Sequence, residues 1–143
     1  MNKLLPVLFC LPWLLCGQLK VKSLDDFPGA SRDDAVTVFH KGKLYAGFGF
    51  TSGFYHAKDW WAYDTATAEW SQLSEVPLEA RQYVRTFTVG DSIYLFGGTK
   101  GNTPEKAFND LWRYSINEDE WEQITNVPLQ PRWAGVAFSR NEV

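Results

Sequence analysis

The 143-residue sequence predicts an all-β fold built from a repeated unit of four antiparallel strands. Three observations carry that expectation. Aromatic residues recur in one register: Trp61 and Trp112, Tyr63 and Tyr114, and Trp70 and Trp121 are each 51 positions apart, as are Pro77 and Pro128, and Arg81 and Arg132. Tyr45 to Tyr94 and Arg32 to Arg81 are 49 apart, and the two-residue difference falls in a stretch that a loop can absorb. Apolar residues alternate with period two in short runs, and no helical period of useful length follows residue 17. A fixed period of about 50 residues marks a repeat array, whose units bury against each other the faces they cannot bury alone.

Residues 1–17 read as a secretory signal peptide. Lys3 gives a positive start, Leu4 to Leu15 is an uncharged apolar run, and Gly17 is a small residue before a cleavage site. The run is short for a spanning helix, and Pro6 and Pro12 interrupt it. Two competing readings stay open: a lipid anchor on Cys16, with Leu15 bulky where that motif wants a small residue, and an uncleaved anchor. Both cysteines, Cys10 and Cys16, lie in this segment, so the processed chain would have no disulfide and no thiol chemistry.

Residues 18–30 are expected to hold one strand. Leu24-x-x-Phe27-Pro28-x-x-x-Arg32 repeats as Leu73-x-x-Val76-Pro77-x-x-x-Arg81 and as Ile124-x-x-Val127-Pro128-x-x-x-Arg132. Leu19 to Leu24 therefore stands where a unit has its fourth strand. An extended leader without a partner is the other reading. Residues 31–79 form the first unit, 80–130 the second, and 131–143 begin a third. In each full unit two strands flank a turn at Gly42 or at Gly90-Asp91, a third covers Trp60 to Tyr63 or Leu111 to Tyr114, and Trp70 or Trp121 opens the fourth.

With Tyr94-Leu95-Phe96-Gly97-Gly98, Tyr114 and Trp121 in this order, the second unit resembles a kelch repeat, the blade of a β-propeller. The first unit departs at one point, where Phe48 stands for the first glycine of the pair before Gly49, and that turn is expected to differ locally. The resemblance implies a ring of about four to eight blades. The chain would then be the N-terminal part of a longer protein with further C-terminal blades, and Leu19 to Leu24 would form the outer strand of the last blade. On its own, a piece with two uncovered blade faces is expected to aggregate or oligomerise.

Composition narrows the function. The net charge of −3, which becomes −4 without Lys3, and the lack of a basic patch argue against nucleic acid. No metal site is expected, because His40 and His56 neither recur nor show ligand spacing. No phosphate loop or nucleophile motif suggests a cofactor or a catalytic residue. Arg32, Arg81 and Arg132 recur before the first strand of each unit, and a recurring Arg suits a structural clamp on carbonyls or on a carboxylate of the next blade. The residues after them vary: Asp33 and Asp34, Gln82 and Tyr83, Trp133 and Ala134. In kelch propellers these positions lie near one rim of the channel. Arg32, Asp33, Arg81, Gln82, Tyr83, Arg132 and Trp133 are thus the candidate rim residues, a polar and aromatic mixture suited to sugars or peptides. The loop Thr51 to Asp59, with Phe54, Tyr55 and His56, is a second candidate surface.

The expected function is an exported scaffold, periplasmic or extracellular, that binds protein or carbohydrate without catalysis and has no membrane segment once the leader is cleaved. The alternative is a sugar-active kelch enzyme such as an N-acetylneuraminate epimerase, whose repeats share the Asn109-Asp110 and Tyr94 to Gly98 texture. The copper chemistry of galactose oxidases needs a Tyr–Cys pair, and no cysteine follows Cys16.

Overall fold

The computed structural model describes residues 23–140. The leader over 1–17 and most of the strand expected over Leu19 to Leu24 lie outside the described residues. The rest is two four-stranded antiparallel sheets, each a meander in chain order. Blade 1 consists of β2 (Val36–His40), β3 (Lys43–Gly47), β5 (Trp60–Asp64) and β6 (Glu69–Gln72). Blade 2 consists of β7 (Arg85–Val89), β8 (Ser92–Phe96), β9 (Asp110–Ser115) and β10 (Glu120–Asn126). A two-residue pair, β1 (Arg32–Asp33) with β4 (Phe50–Thr51), ties the entry of blade 1 to the loop after β3. One 3-10 turn, Pro104–Lys106, interrupts the matching loop of blade 2. Among the described residues no helix is long and apolar enough to cross a membrane.

Register decides which side chains meet. Val38 pairs with Tyr45 and Tyr45 with Ala62, so these share one face of blade 1; Leu44, Tyr63 and Trp70 share the other. In blade 2 Ile93, Tyr114 and Trp121 share the face turned to blade 1. The two faces interlock through rings. Tyr114 packs on Tyr45 at 6.2 Å and on Trp60 at 5.7 Å, and Trp60 packs on Trp121 at 5.6 Å. Val76 and Leu78, on the chain crossing from β6 to β7, are buried in the same cluster. This seam between the blades is the core, as repeat units that cannot bury a face alone require.

Phe27, at the position of Val76 one unit earlier, packs edge-on against Trp61 and Trp70. The Trp70 indole donates to the Asp25 carbonyl at 3.2 Å. Residues 23–30 form no strand. Three equivalent segments, Ala35–Thr37, Val84–Thr86 and Gly135–Ala137, surround a cavity of about 320 Å³. The first strand of each blade and the start of the third unit thus face a common axis.

The turn at Phe48 keeps the conformation of its glycine counterpart. Phe48 has φ 57 and Gly97 has φ 64; Gly49 and Gly98 follow at 96 and 94. The difference lies in the side chain, which is fully buried against Trp60 and Trp121.

Candidate functional site

Two of the three recurring arginines, Arg32 and Arg81, have buried side chains at the start of their units. The Arg81 guanidinium lies against Asp110, donating from Nη1 at 2.6 Å and from Nη2 at 3.0 Å. It also donates to the carbonyls of Glu79 and Gly97, and it stacks on the Phe108 ring at 3.6 Å. Arg32 repeats this geometry with Asp59 and with the carbonyls of Ala30 and Phe48. Each clamp closes on a carboxylate of its own unit, not of the next blade. Burial alone would raise the Asp59 carboxyl; hydrogen bonds from Arg32 and Trp61, with the Arg32 charge, hold it below the usual range instead. Arg132 is exposed and makes the carbonyl bond, to Gln130 at 3.1 Å.

Asp59 and Asp110 escaped the sequence reading as clamp partners, although they are 51 apart and each stands just before the third strand or opens it. The register that aligned the tryptophans had already aligned them. Each also accepts a bond from the indole two residues on, Trp61 at 3.0 Å and Trp112 at 2.7 Å.

The residues after the arginines lie at one end of the blades. Asp33 pairs with Phe50 across β1 and β4, and Gln82 pairs with Thr99 by reciprocal backbone bonds of 2.9 Å. Both bring the entry turn of a blade beside its long loop. Asp33 is exposed, Gln82 is buried, and Tyr83 and Trp133 are half-buried. Tyr83 donates its phenol to Asp34 of the neighbouring unit, which raises its pKa. The structure thus joins Asp34 and Tyr83 but places Arg32 and Arg81 beneath the surface.

On blade 1 this end opens into a pocket of about 320 Å³ between the entry turn and the loop. Its wall comprises Ser31, Asp33, Phe50, Ser52 and Phe54, with Arg32 and Thr51 beneath. Phe54 is 85% exposed and sits at φ 62, held by its N–H to the Thr51 carbonyl at 2.9 Å. A bulky residue exposed in a left-handed conformation is uncommon. The two serines were not singled out in the sequence, since nothing in the repeat distinguishes them. His56 lies tilted against the Phe50 ring at 5.0 Å, and burial lowers its pKa.

The opposite end of the seam is a latch. Asp91, in the β7–β8 turn, accepts from Lys41 at 2.5 Å and lies 3.0 Å from His40 Nε2, both on blade 1. These bonds lower the Asp91 carboxyl to about 2. Asp119, in the β9–β10 turn, accepts from the Ser74 N–H at 3.0 Å and from the Tyr114 hydroxyl at 2.7 Å. Burial is the main cause that pushes the Tyr114 phenol strongly up, with this bond second. Among the described residues no three His, Cys, Asp or Glu groups converge as metal ligands would.

Residues 16–140 match the family described as the KLHDC2/KLHL20/DRC7 Kelch-repeats domain. The N-acetylneuraminate epimerase of Salmonella enteritidis PT4 is 23% identical over 110 residues, covering 73% of this chain and 27% of the relative. The N-acetylneuraminate epimerase 1 of Escherichia coli O6:H1 is 27% identical over 110 residues, covering 74% and 28%. Kelch-like protein 40 of Xenopus tropicalis is 30% identical over 95 residues, covering 62% and 15%. The solved structure titled Structure of YjhT superimposes with a TM-score of 0.66 at 22% identity, over 82% of this chain and 34% of that one. The chain spans about a quarter of the length of the epimerases it matches.

Proposed function

The chain belongs to the kelch-repeat family, and from that premise we propose that its blades form part of an exported propeller that binds a protein or carbohydrate ligand at the end carrying Asp33 and Phe54. One observation carries this reading. The blade 1 pocket sets an exposed aromatic ring, a carboxylate and two hydroxyls around a volume suited to a single sugar residue or side chain. A sugar ring lays its C–H face on an aromatic plane and gives its hydroxyls to carboxylate and serine oxygens. Ser31, Ser52 and Phe54 come from turns flanking the short β1–β4 pair, outside the four-stranded sheet, where a rigid β scaffold leaves residues free to vary.

The test is a glycan and peptide array probed with the full chain and with Phe54→Ser. A bound ligand class that the substitution abolishes supports the proposal. An identical binding pattern for both proteins overturns it. Export is checked by N-terminal sequencing of the protein from its host's cell fractions: a start shortly after Gly17 is expected, and an intact N-terminus in the cytosol contradicts it.

A second reading is favoured by the matches to the two epimerases, that the protein in full acts on N-acetylneuraminate. NMR of the free sugar distinguishes them, since catalysed anomer exchange requires the enzyme and binding alone leaves the exchange rate unchanged.

A further inference from the structure

The rim pocket of blade 1 carries a charge that its counterpart on blade 2 lacks. Arg32 is neutralised by Asp59, as Arg81 is by Asp110, so neither clamp leaves net charge at the surface. Above them stand Asp33 and Asp34 on blade 1 but Gln82 and Tyr83 on blade 2. Asp34 is engaged by the Tyr83 phenol, which leaves Asp33 as the carboxylate on the pocket wall. Among the described residues no salt bridge engages Asp33.

The remaining wall points the same way. The face of an aromatic ring is the negative pole of its quadrupole and attracts cations. Phe54 is exposed to solvent and offers such a face, with the Phe50 ring roughly perpendicular to it at 6.4 Å. The Ser31 hydroxyl donates to Ser52 at 3.0 Å, and both oxygens keep lone pairs for an N–H donor. An anion entering here would meet a carboxylate and a negative ring face, while Arg32 and its charge are turned down onto Asp59.

We propose that this pocket takes a cationic nitrogen, a primary ammonium or guanidinium, with Asp33 supplying the counter-charge and Phe54 covering the carbon frame that carries it. The carrier is an amino sugar or a basic peptide side chain, which share this chemistry. The proposal rests on the rim reading above and narrows it, since a carboxylate sugar is the least suited ligand.

The experiment titrates the full chain, followed by ¹H–¹⁵N NMR, with two matched pairs: glucosamine against N-acetylglucosamine, and N-acetyl-lysinamide against N-acetyl-norleucinamide. N-acetylneuraminate serves as the anionic probe. The charged member of at least one pair is expected to bind about ten-fold tighter, with shifts at Ser31, Asp33, Ser52 and Phe54. Which pair shows the preference identifies the carrier. The preference is expected to shrink with added salt, a readout that needs no variant. Asp33→Asn is expected to erase it while leaving the melting temperature in place. Equal affinity within both pairs, an unchanged preference in Asp33→Asn, or tighter binding of N-acetylneuraminate overturns the inference. If a neutral or anionic probe shifts the pocket without that preference, the rim reading stands alone. If no probe shifts the pocket, both fail.

Discussion

Blade 1 and blade 2 share a backbone far more closely than a sequence. Left-handed residues recur at matched positions whatever the side chain: Asp34 at φ 52 and Tyr83 at 57, Phe48 at 57 and Gly97 at 64, Ala68 at 62 and Asp119 at 54. A lone αL residue other than glycine costs about 1 kcal/mol, so local preference did not choose these angles. They are set by the hydrogen bonds that close each unit, such as Gly49 N–H to the Arg81 carbonyl and Gly98 N–H to that of Arg132, both 3.0 Å. The side chains then differ where a blade meets a different neighbour. Gly47 pairs across the sheet with Trp60, whose bulk fills the seam, whereas Phe96 pairs with Leu111 on the outer face. A Cβ on Gly47 would stand 2.1 Å from the Asp59 carbonyl. Volume moves between cross-strand partners while the frame stays constant.

The clamps give the largest expected contrast. The Arg81 side chain is 2% exposed and its partner Asp110 14%, against 5% and 23% for Arg32 and Asp59. Removing either arginine strands a carboxylate, and the stranded charge is costlier where it is drier. Arg81→Ala is expected to lose about 3–5 kcal/mol of stability. Arg32→Ala is expected to lose about 1–3 kcal/mol, since Asp59 can rehydrate. Urea unfolding of both variants measures the difference, and equal losses would show that the two blades hold their clamps with the same strength.

Much of the fold was legible because its signal is periodic. Tyr63 and Tyr114 are buried, and Arg32 and Arg81 recur, because each unit needs the same ring contact and the same closure at its start. A period reveals what repeats and hides what does not. The pocket on blade 1 is made from such departures: Ser31, Ser52 and Phe54 belong to no repeat pattern, and their meeting depends on the β1–β4 pair, whose partners are 17 and 19 residues apart in the chain. The latch was hidden for another reason. Asp91 and Asp119 look like ordinary turn acids, and only the packing of one blade on the next brings His40, Lys41 and Ser74 to them. The turn at Phe48 shows the converse. A glycine pattern was broken, yet the conformation held, because a buried ring compensates for the strain.

That turn supplies the next contrast. Phe48→Ala keeps the strained backbone and removes a ring enclosed by Trp60 and Trp121, so about 3 kcal/mol or somewhat more should be lost. Gly97→Ala adds a methyl whose carbon would lie 2.5 Å from the Arg132 carbonyl, at φ 64. The segment after Pro131 is mostly exposed and can give way, so a smaller loss of about 1–2 kcal/mol is expected. Thermal melts of the two variants check the order. A larger loss for Gly97→Ala would mean that the closure of blade 2 on Arg132 matters more than the core packing of blade 1.

Acid supplies the smallest effect and isolates the far end of the seam. Asp91 is held at about 2 mainly by hydrogen bonds from Lys41 and His40, against an ordinary value of 3.8. The folded carboxyl binds its proton less tightly than the unfolded one. The latch therefore contributes in full above pH 4, and its contribution fades as the pH falls through about 2. Asp91 is open to solvent, so the change is small and weakens with salt. Asp91→Asn removes the titrating group but leaves an acceptor for Lys41. Its stability should fall less steeply than that of the parent chain between pH 4 and 2, with the two curves converging at the acid end. Parallel curves over that interval would show that the Asp91 latch adds nothing to the joint between the blades.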